Sequence, residues 1–214
     1  MASIAIAVAV TYSPVFAASD IRIVASPMPR RALLQTAGID ERTNVFHLDA
    51  AAVERRLEAD PRILAASVTT ALPSHVVISI TPRRPVAIMG TPAVLIAADG
   101  TTIGPADDRR RELPTLRGED VAAAAATAGA MSPSLRRNVE AIAIRPDGGI
   151  SVRLEAGFTA DLGAPSELPA KAASLAALLG WSRAHDVRVL SADVTVAGSP
   201  TVRLADGETA VPPA

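Results

Sequence analysis

Residues 63–80 read ILAASVTTALPSHVVISI and contain the pattern that decides the fold. The first eight are rich in β-branched and small side chains, and a break containing proline follows at residues 72–74. Val76, Ile78 and Ile80 then recur at every second position, which is the period of a strand with one buried face. The stretch therefore predicts two antiparallel strands joined by a short turn.

The residues before this hairpin predict a strand and two helices. Residues 20–24 alternate polar and apolar side chains, as a half-buried strand does. Pro29 suits the first turn of a helix that Gly38 closes, and Asp49 is a good N-cap for a second helix that ends before Pro61. The predicted order is β-α-α-β-β. Its expected core positions are Ile21, Ile23, Leu33, Leu34, Val53, Leu57, Val76, Ile78 and Ile80.

Prolines at positions 82, 85 and 92 predict a domain boundary near Arg83 and Arg84, followed by short edge strands. The arginine pair is interpreted as a solvated linker, or as a contact for a partner or anionic lipid. The predicted downstream elements are a hairpin around Asp99 and Gly100, a helix over residues 121–130, a hairpin across residues 147–149, a helix from Leu168 that Gly180 ends, and strands over residues 187–190, 194–196 and 202–204.

The N-terminal region is free of charged residues from position 2 to position 19. A membrane-spanning helix needs about 20 apolar residues, and Tyr12 beside Pro14 is typical of the interfacial end of a span. We therefore expect a membrane anchor over residues 1–18 that is truncated, with a start codon upstream. A cleaved signal ending near residues 15–17 and a buried first element of a soluble domain are the alternatives.

Composition excludes several classes of protein. The chain has 214 residues, a net charge of −1 and 49% hydrophobic residues, so neither a disordered chain nor a basic nucleic-acid binder is expected. Only 2% of the residues are aromatic, which leaves few side chains for base stacking. The absence of cysteine excludes disulfides, thiolate metal sites and cysteine nucleophiles.

No motif for catalysis or metal binding is present in the sequence. His47, His75 and His185 are far apart and lack the spacing of zinc ligands. Asp107 and Asp108 lie beside three arginines at positions 109–111, in what we interpret as a solvated loop. We therefore expect no catalytic, cofactor-binding or metal site, and a binding function rather than an enzyme.

Several motifs together resemble the FtsQ/DivIB family of bacterial cell-division proteins. They are SPVF at residues 13–16, IRIV at 21–24, AGI at 37–39, NVFHLD at 44–49, PRILAASV at 61–68, LPSHVVISI at 72–80, RRPVA at 83–87, ADG at 98–100 and LPTLRG at 113–118. Their order and spacing carry the resemblance. The sequence departs from the family at Arg62, where a large aromatic residue is usual, and at Pro82, where a glutamate is usual.

The resemblance implies an α+β protein with a transmembrane segment over residues 1–18, a POTRA domain over 19–84, a mixed strand-rich β-domain over 85–205 and a tail over 206–214. It implies a single-pass protein of the cytoplasmic membrane whose bulk is extracytoplasmic, at the division septum. Such a protein is a non-enzymatic divisome scaffold that binds FtsB/FtsL-like coiled-coil membrane proteins and other divisome proteins, and helps regulate septal peptidoglycan synthesis.

Two other functions remain open at this point. One is a POTRA-bearing component of protein export or outer-membrane assembly, which captures substrate strands by edge pairing. The other is a secreted hydrolase, although no triad or metal spacing supports it. Neither a nucleic acid nor a small-molecule substrate is expected.

The resemblance also places a partner site on the strands after the last helix, where a partner adds a strand to the sheet edge. The segment spans residues 192–204, and Val196, Thr201 and Arg203 are its best single candidates. Apolar residues at period two can equally face the domain's own core. The full candidate set is Val194, Val196, Thr201, Val202, Arg203 and Leu204.

Overall fold

The computed structural model describes residues 14–106, 112–205 and 207–212. The chain divides into two compact units, one over residues 1–83 and one over residues 84–214. Each mixes helices and strands, so the α+β class is confirmed. The expected anchor falls mostly on residues 1–13, outside the described part of the chain.

Over residues 14–83, the first unit has a three-stranded sheet and two α-helices. Its elements are β1 (Asp20–Val24), α1 (Arg30–Ala37), α2 (Ala50–Glu58), β2 (Ile63–Ala71) and β3 (His75–Pro82). The central strand β3 pairs antiparallel with β2 and parallel with β1, in the order β1-β3-β2. A parallel neighbour requires a crossover connection, which the two helices supply.

Local sequence signals fix the ends of these helices. Gly38 adopts φ +67°, and its N–H donates to the carbonyl of Gln35, which closes α1. Asp49 accepts a hydrogen bond from the N–H of Ala52 at 3.0 Å and so caps α2. Both helix ends agree with the sequence prediction.

The core of the first unit lies between the sheet and the two helices. Of the nine predicted core residues, Ile21, Leu33, Val53, Leu57, Val76, Ile78 and Ile80 are buried. Ile23 and Leu34 are half-buried and pack against this core.

Residues just before β1 belong to the first unit. Ala17 forms a bridge with Asn44, and Ala18 is completely buried. The rings of Phe16 and Phe46 lie 5.8 Å apart. Residues 16–18, which the sequence assigned to the end of the anchor, therefore pack against the loop between α1 and α2.

In the described residues, the second unit is built on a ten-stranded sheet in the order β13-β12-β11-β10-β9-β8-β7-β4-β5-β6. Its strands are β4 (Pro85–Met89), β5 (Val94–Ala97), β6 (Thr102–Pro105), β7 (Thr115–Arg117), β8 (Val139–Ile144), β9 (Ile150–Leu154), β10 (Thr159–Gly163), β11 (Val189–Asp193), β12 (Thr201–Leu204) and β13 (Thr209–Ala210). Its helices are α3 (Val121–Ala130), α4 (Pro133–Arg136) and α5 (Leu168–Ala184).

The helices cover one face of this sheet. Helix α3 packs against α5 and against β4, β5, β7 and β8. Leu175, Leu178 and Leu179 of α5 are buried in the same core as alternate residues of β9, β10 and β12. The other residues of those strands form a second face that is open to solvent.

Three features differ from the sequence prediction. Helix α5 continues through Gly180 to Ala184, because Trp181 extends its apolar stripe and packs against the core. Residues 194–196 form no strand, since β11 ends at Asp193. The segment expected to be a tail contains the two-residue strand β13.

Among the described residues, no helix has both the length and the apolar character needed to cross a membrane.

Candidate partner-binding edge of the second unit

The six predicted partner-site residues divide into two groups. Val194, Val202 and Leu204 are buried in the core of the second unit. Their side chains therefore face the core of the second unit, so in strand addition they offer a partner only their backbone groups. The other three, Val196, Thr201 and Arg203, are exposed.

Strand β12 is paired along both of its edges. On one side it is antiparallel to β11, where Thr201 lies opposite Asp193 and Val202 opposite Ala192. On the other side it is antiparallel to β13, which is the last strand of the described sheet. The expected partner edge of β12 is therefore occupied by the chain's own residues.

Val196 lies at an ordered turn between β11 and β12. Thr195 donates hydrogen bonds from its N–H and its hydroxyl to Asp193 Oδ1, at 2.9 and 2.7 Å. Ser199 N–H donates to the carbonyl of Val196, and Gly198 adopts φ +78°. Val196 is 63% exposed, although hydrogen bonds hold the turn in which it lies. An aliphatic side chain held outside the core is available for contact.

Two buried polar residues of helix α5, Lys171 and Ser174, hold neighbouring segments of the backbone. Ser174 Oγ accepts a hydrogen bond from the N–H of Gly198 at 2.9 Å. Lys171 Nζ donates to the carbonyls of Leu162 and Ala164, both at 2.8 Å, at the end of β10. Residues three apart lie on the same face of a helix, so one face of α5 fixes both segments.

The open face of the sheet carries rows of polar side chains across the strands. One row runs from Arg153 through Thr159 and Ser191 to Arg203 and Thr209. A neighbouring row contains Ser151, Asp161, Asp193 and Thr201. Together with Arg145, the residues of these rows other than Arg153 line most of a shallow cleft of about 440 Å³. The open face of the sheet around β12 is thus suited to polar and charged contacts.

Arg145 and Asp161 form an ion pair in this cleft, with Nη1 and Oδ2 2.6 Å apart. Partial burial of Asp161 opposes ionisation, yet hydrogen bonds from Arg145 and from the N–H of Gly163 hold the pKa of its carboxyl below the ordinary value. The same carboxylate raises the pKa of the Arg145 guanidinium. Both groups are therefore charged at neutral pH.

The sheet of the first unit has two different edges. Along β2, Glu58 accepts a hydrogen bond from the N–H of Ala66 at 3.0 Å, and Glu54 accepts one from the N–H of Val68 at 2.7 Å. Within the described residues, β1 at the opposite edge pairs with β3 alone. Beside β1 lies a groove of about 750 Å³ whose apolar lining is Ile21, Leu34 and Ile39.

Within residues 14–106, 112–205 and 207–212, no group of three histidine, aspartate or glutamate side chains is arranged to hold a metal ion.

The FtsQ-type POTRA domain family model matches residues 21–83. These residues are the β-α-α-β-β unit just described. This unit is thus similar to an FtsQ-type POTRA domain, and we call it the POTRA domain. This match confirms the resemblance to the FtsQ/DivIB family over residues 21–83.

The comparison with curated proteins finds no match to this sequence. Among solved structures, the major extracytoplasmic domain of the trans isomer of the bacterial cell-division protein DivIB from Geobacillus stearothermophilus is similar. The similarity has a TM-score of 0.37 and 14% sequence identity, and it covers 50% of this chain and 96% of that chain.

The POTRA domain accommodates Arg62, one of its two departures from the family pattern, with an ion pair. The Arg62 guanidinium donates from Nε and Nη2 to the two oxygens of Asp60, at 2.9 and 2.7 Å. Its Nη2 also lies 3.9 Å from the sulfur of the buried Met28. Pro82 ends β3 opposite Ile63, where the strand leaves the sheet.

Sequence reasoning missed three features of this site. The strand pairing of β13 was overlooked because two residues are too few to show a period, although Gly207 before them is a turn signal. Lys171 and Ser174 were overlooked because they lie on a helix that the sequence describes by its apolar stripe. The sequence alone does not show which backbone groups the side chains of these two residues contact.

Proposed function

We propose that this protein is a scaffold of the bacterial division machinery, and that it works by binding other divisome proteins rather than by catalysis. The observation that carries the proposal is the FtsQ-type POTRA domain at residues 21–83, followed in the same chain by a second, sheet-based unit. The FtsQ type of the domain favours cell division over protein export.

The proposed partners are FtsB/FtsL-like coiled-coil membrane proteins, and the proposed mode of binding is strand addition at β12. An added strand gains main-chain hydrogen bonds, while alternate side chains on the exposed face give specificity. The exposed Thr201 and Arg203 lie on that face, and the exposed Val196 lies on the adjoining turn. These three residues remain the proposed contacts, whereas Val194, Val202 and Leu204 act as core.

The proposed location is the cytoplasmic membrane at the septum, with both units outside the cytoplasm. The uncharged residues 2–15, which precede the part of the chain that packs in the first unit, support an N-terminal anchor. Extraction of native membranes with carbonate tests this part of the proposal. Retention of the protein in the pellet is expected, and complete release into the wash contradicts the anchor.

The binding proposal is tested with the FtsB-like coiled-coil protein of the same organism, produced as its extracytoplasmic segment. Val196→Asp is expected to weaken binding at least about tenfold, because it places a charge in a desolvated contact. Leu64→Asp is the matched control, since Leu64 is also exposed but lies in the POTRA domain.

Circular dichroism verifies that both variants fold. Wild-type affinity in a folded Val196→Asp variant overturns the proposed contact. Failure of the wild-type chain to bind the segment overturns the proposed partner.

A further inference from the structure

Strand β13 covers the edge of β12 at which a partner strand would add. Val202 lies opposite Ala210 and Arg203 lies opposite Thr209. The N–H of Leu204 donates to the carbonyl of Glu208 at 2.9 Å, and the N–H of Gly207 donates to the carbonyl of Leu204. The outward-facing backbone groups of β12 are therefore already engaged by the chain itself.

The outer edge of β13 is a poor substitute for that of β12. The strand has only two residues, and the sequence continues as Val211, Pro212 and Pro213. Proline has no N–H to donate, so prolines and very short strands protect sheet edges against pairing. A partner strand that pairs along the whole of β12 must therefore replace β13, because β13 is too short for a partner to pair with its outer edge.

Much of the segment around β13 is exposed to solvent, although Ala210 packs against the core. Thr209 and Val211 are exposed, Ala210 is half-buried, and Pro212 is the buried member of the segment. Gly207 adopts φ +89° at the turn between β12 and β13, where glycine permits a change of direction. A two-residue strand at a sheet edge is among the least stable elements of a fold.

We propose that residues 207–212, the guard segment, form a displaceable strand that competes with the partner for the edge of β12. The inference rests on the proposed function, because it concerns the same edge. In the free protein the guard segment protects an edge that would otherwise pair with other chains. In the complex the partner strand takes its place, and the affinity for the partner is reduced by the free energy that holds the guard segment.

Two variants test the competition with the same FtsB-like segment as probe. A chain that stops after Ala205 lacks the guard segment and is expected to bind about threefold to tenfold more tightly than the full chain, which corresponds to a guard segment held by a net ~0.7–1.4 kcal/mol. The double variant Arg203→Cys/Thr209→Cys places a disulfide between two residues that lie opposite each other. The wild-type chain has no cysteine, so no other disulfide competes.

Oxidation of the double variant locks the guard segment onto β12 and is expected to abolish binding, and reduction is expected to restore it. The reduced form is the control, because any effect of replacing Arg203 is common to both forms. Equal affinity of the oxidised and reduced forms, or no increase in affinity on truncation, overturns the proposed competition. Either result leaves the proposed partner unaffected. Absence of binding by every form, truncated chain included, overturns the proposed function and the inference with it.

Discussion

Glu54 of helix α2 accepts a hydrogen bond from the backbone N–H of Val68 in strand β2, at 2.7 Å. Glu58, one turn further along the same helix, accepts one from Ala66. Unpaired N–H groups at a sheet edge invite pairing with other chains, and charged side chains at the edge prevent it. The POTRA domain thus closes the β2 edge with side chains of a helix, whereas the second unit closes its β12 edge with a separate strand.

The double variant Glu54→Ala/Glu58→Ala should open the β2 edge. We expect the free energy of unfolding to fall by about 1–3 kcal/mol, since two backbone donors lose charged acceptors. We also expect concentration-dependent self-association in size-exclusion chromatography. Glu54→Gln/Glu58→Gln is the control, because the amide oxygens still accept these hydrogen bonds. Ala variants that stay monomeric and unfold like the wild type would show that the glutamates do not protect this edge.

The core of the POTRA domain depends on α2 facing the sheet. Leu57 is fully buried, whereas Leu64 is 51% exposed. Leu57→Ala should therefore lower the free energy of unfolding by ~2–5 kcal/mol, through lost burial and a residual cavity. Leu64→Ala should change it by less than about 0.5 kcal/mol. Urea denaturation measures both, and equal effects of the two substitutions would contradict the observed packing.

Lys171 is the buried amine that holds the end of β10. Lys171→Met should lower the free energy of unfolding of the second unit by about 1–3 kcal/mol, because the carbonyls of Leu162 and Ala164 lose their donor. Arg137→Met, at an exposed position, is the control. A Lys171→Met variant as stable as the wild type would mean that other donors satisfy these carbonyls.

The ion pair between Asp60 and Arg62 predicts a specific dependence of stability on pH. The hydrogen bond from Arg62 lowers the pKa of the Asp60 carboxyl, against a smaller opposing effect of partial burial. A lowered pKa in the folded state stabilises the protein above the unfolded-state pKa, about 3.9. This stabilisation is lost as the pH falls through the lower folded-state value.

Asp60→Asn should therefore be less stable than the wild type by about 1 kcal/mol or less at pH 7. The difference should shrink as the pH falls below about 4. Thermal unfolding from pH 7 to pH 2 measures it, with Glu41→Gln at an exposed position as the control. A difference that is independent of pH would exclude the ion pair as its cause.

The sequence predicts the fold correctly where the relevant pattern involves only residues that are close in the chain. The period of residues 76–80, the cap at Asp49 and the left-handed turn at Gly38 each depend on a few neighbouring residues, and the structure agrees with all three. Gly180 failed as a helix end because packing of Trp181 against the core overrides the low helix propensity of glycine.

The site was less predictable because it depends on contacts between distant segments. Val194, Val202 and Leu204 share an alternating pattern with the exposed residues, and the sequence cannot assign them to one face. The pairing of Thr209 with Arg203, and of Gly198 with Ser174, joins segments whose relation is set by the register of the sheet. A one-residue change of register would exchange the two faces of β12.

Hydrogen–deuterium exchange of the full chain, alone and with the FtsB-like segment, tests the central claim most directly. We expect residues 201–204 to become more protected on binding, because the partner forms a longer strand than β13. We also expect residues 207–212 to exchange faster in the complex, because the partner displaces them. Unchanged exchange over residues 201–212, with new protection elsewhere on the chain, would contradict strand addition at β12.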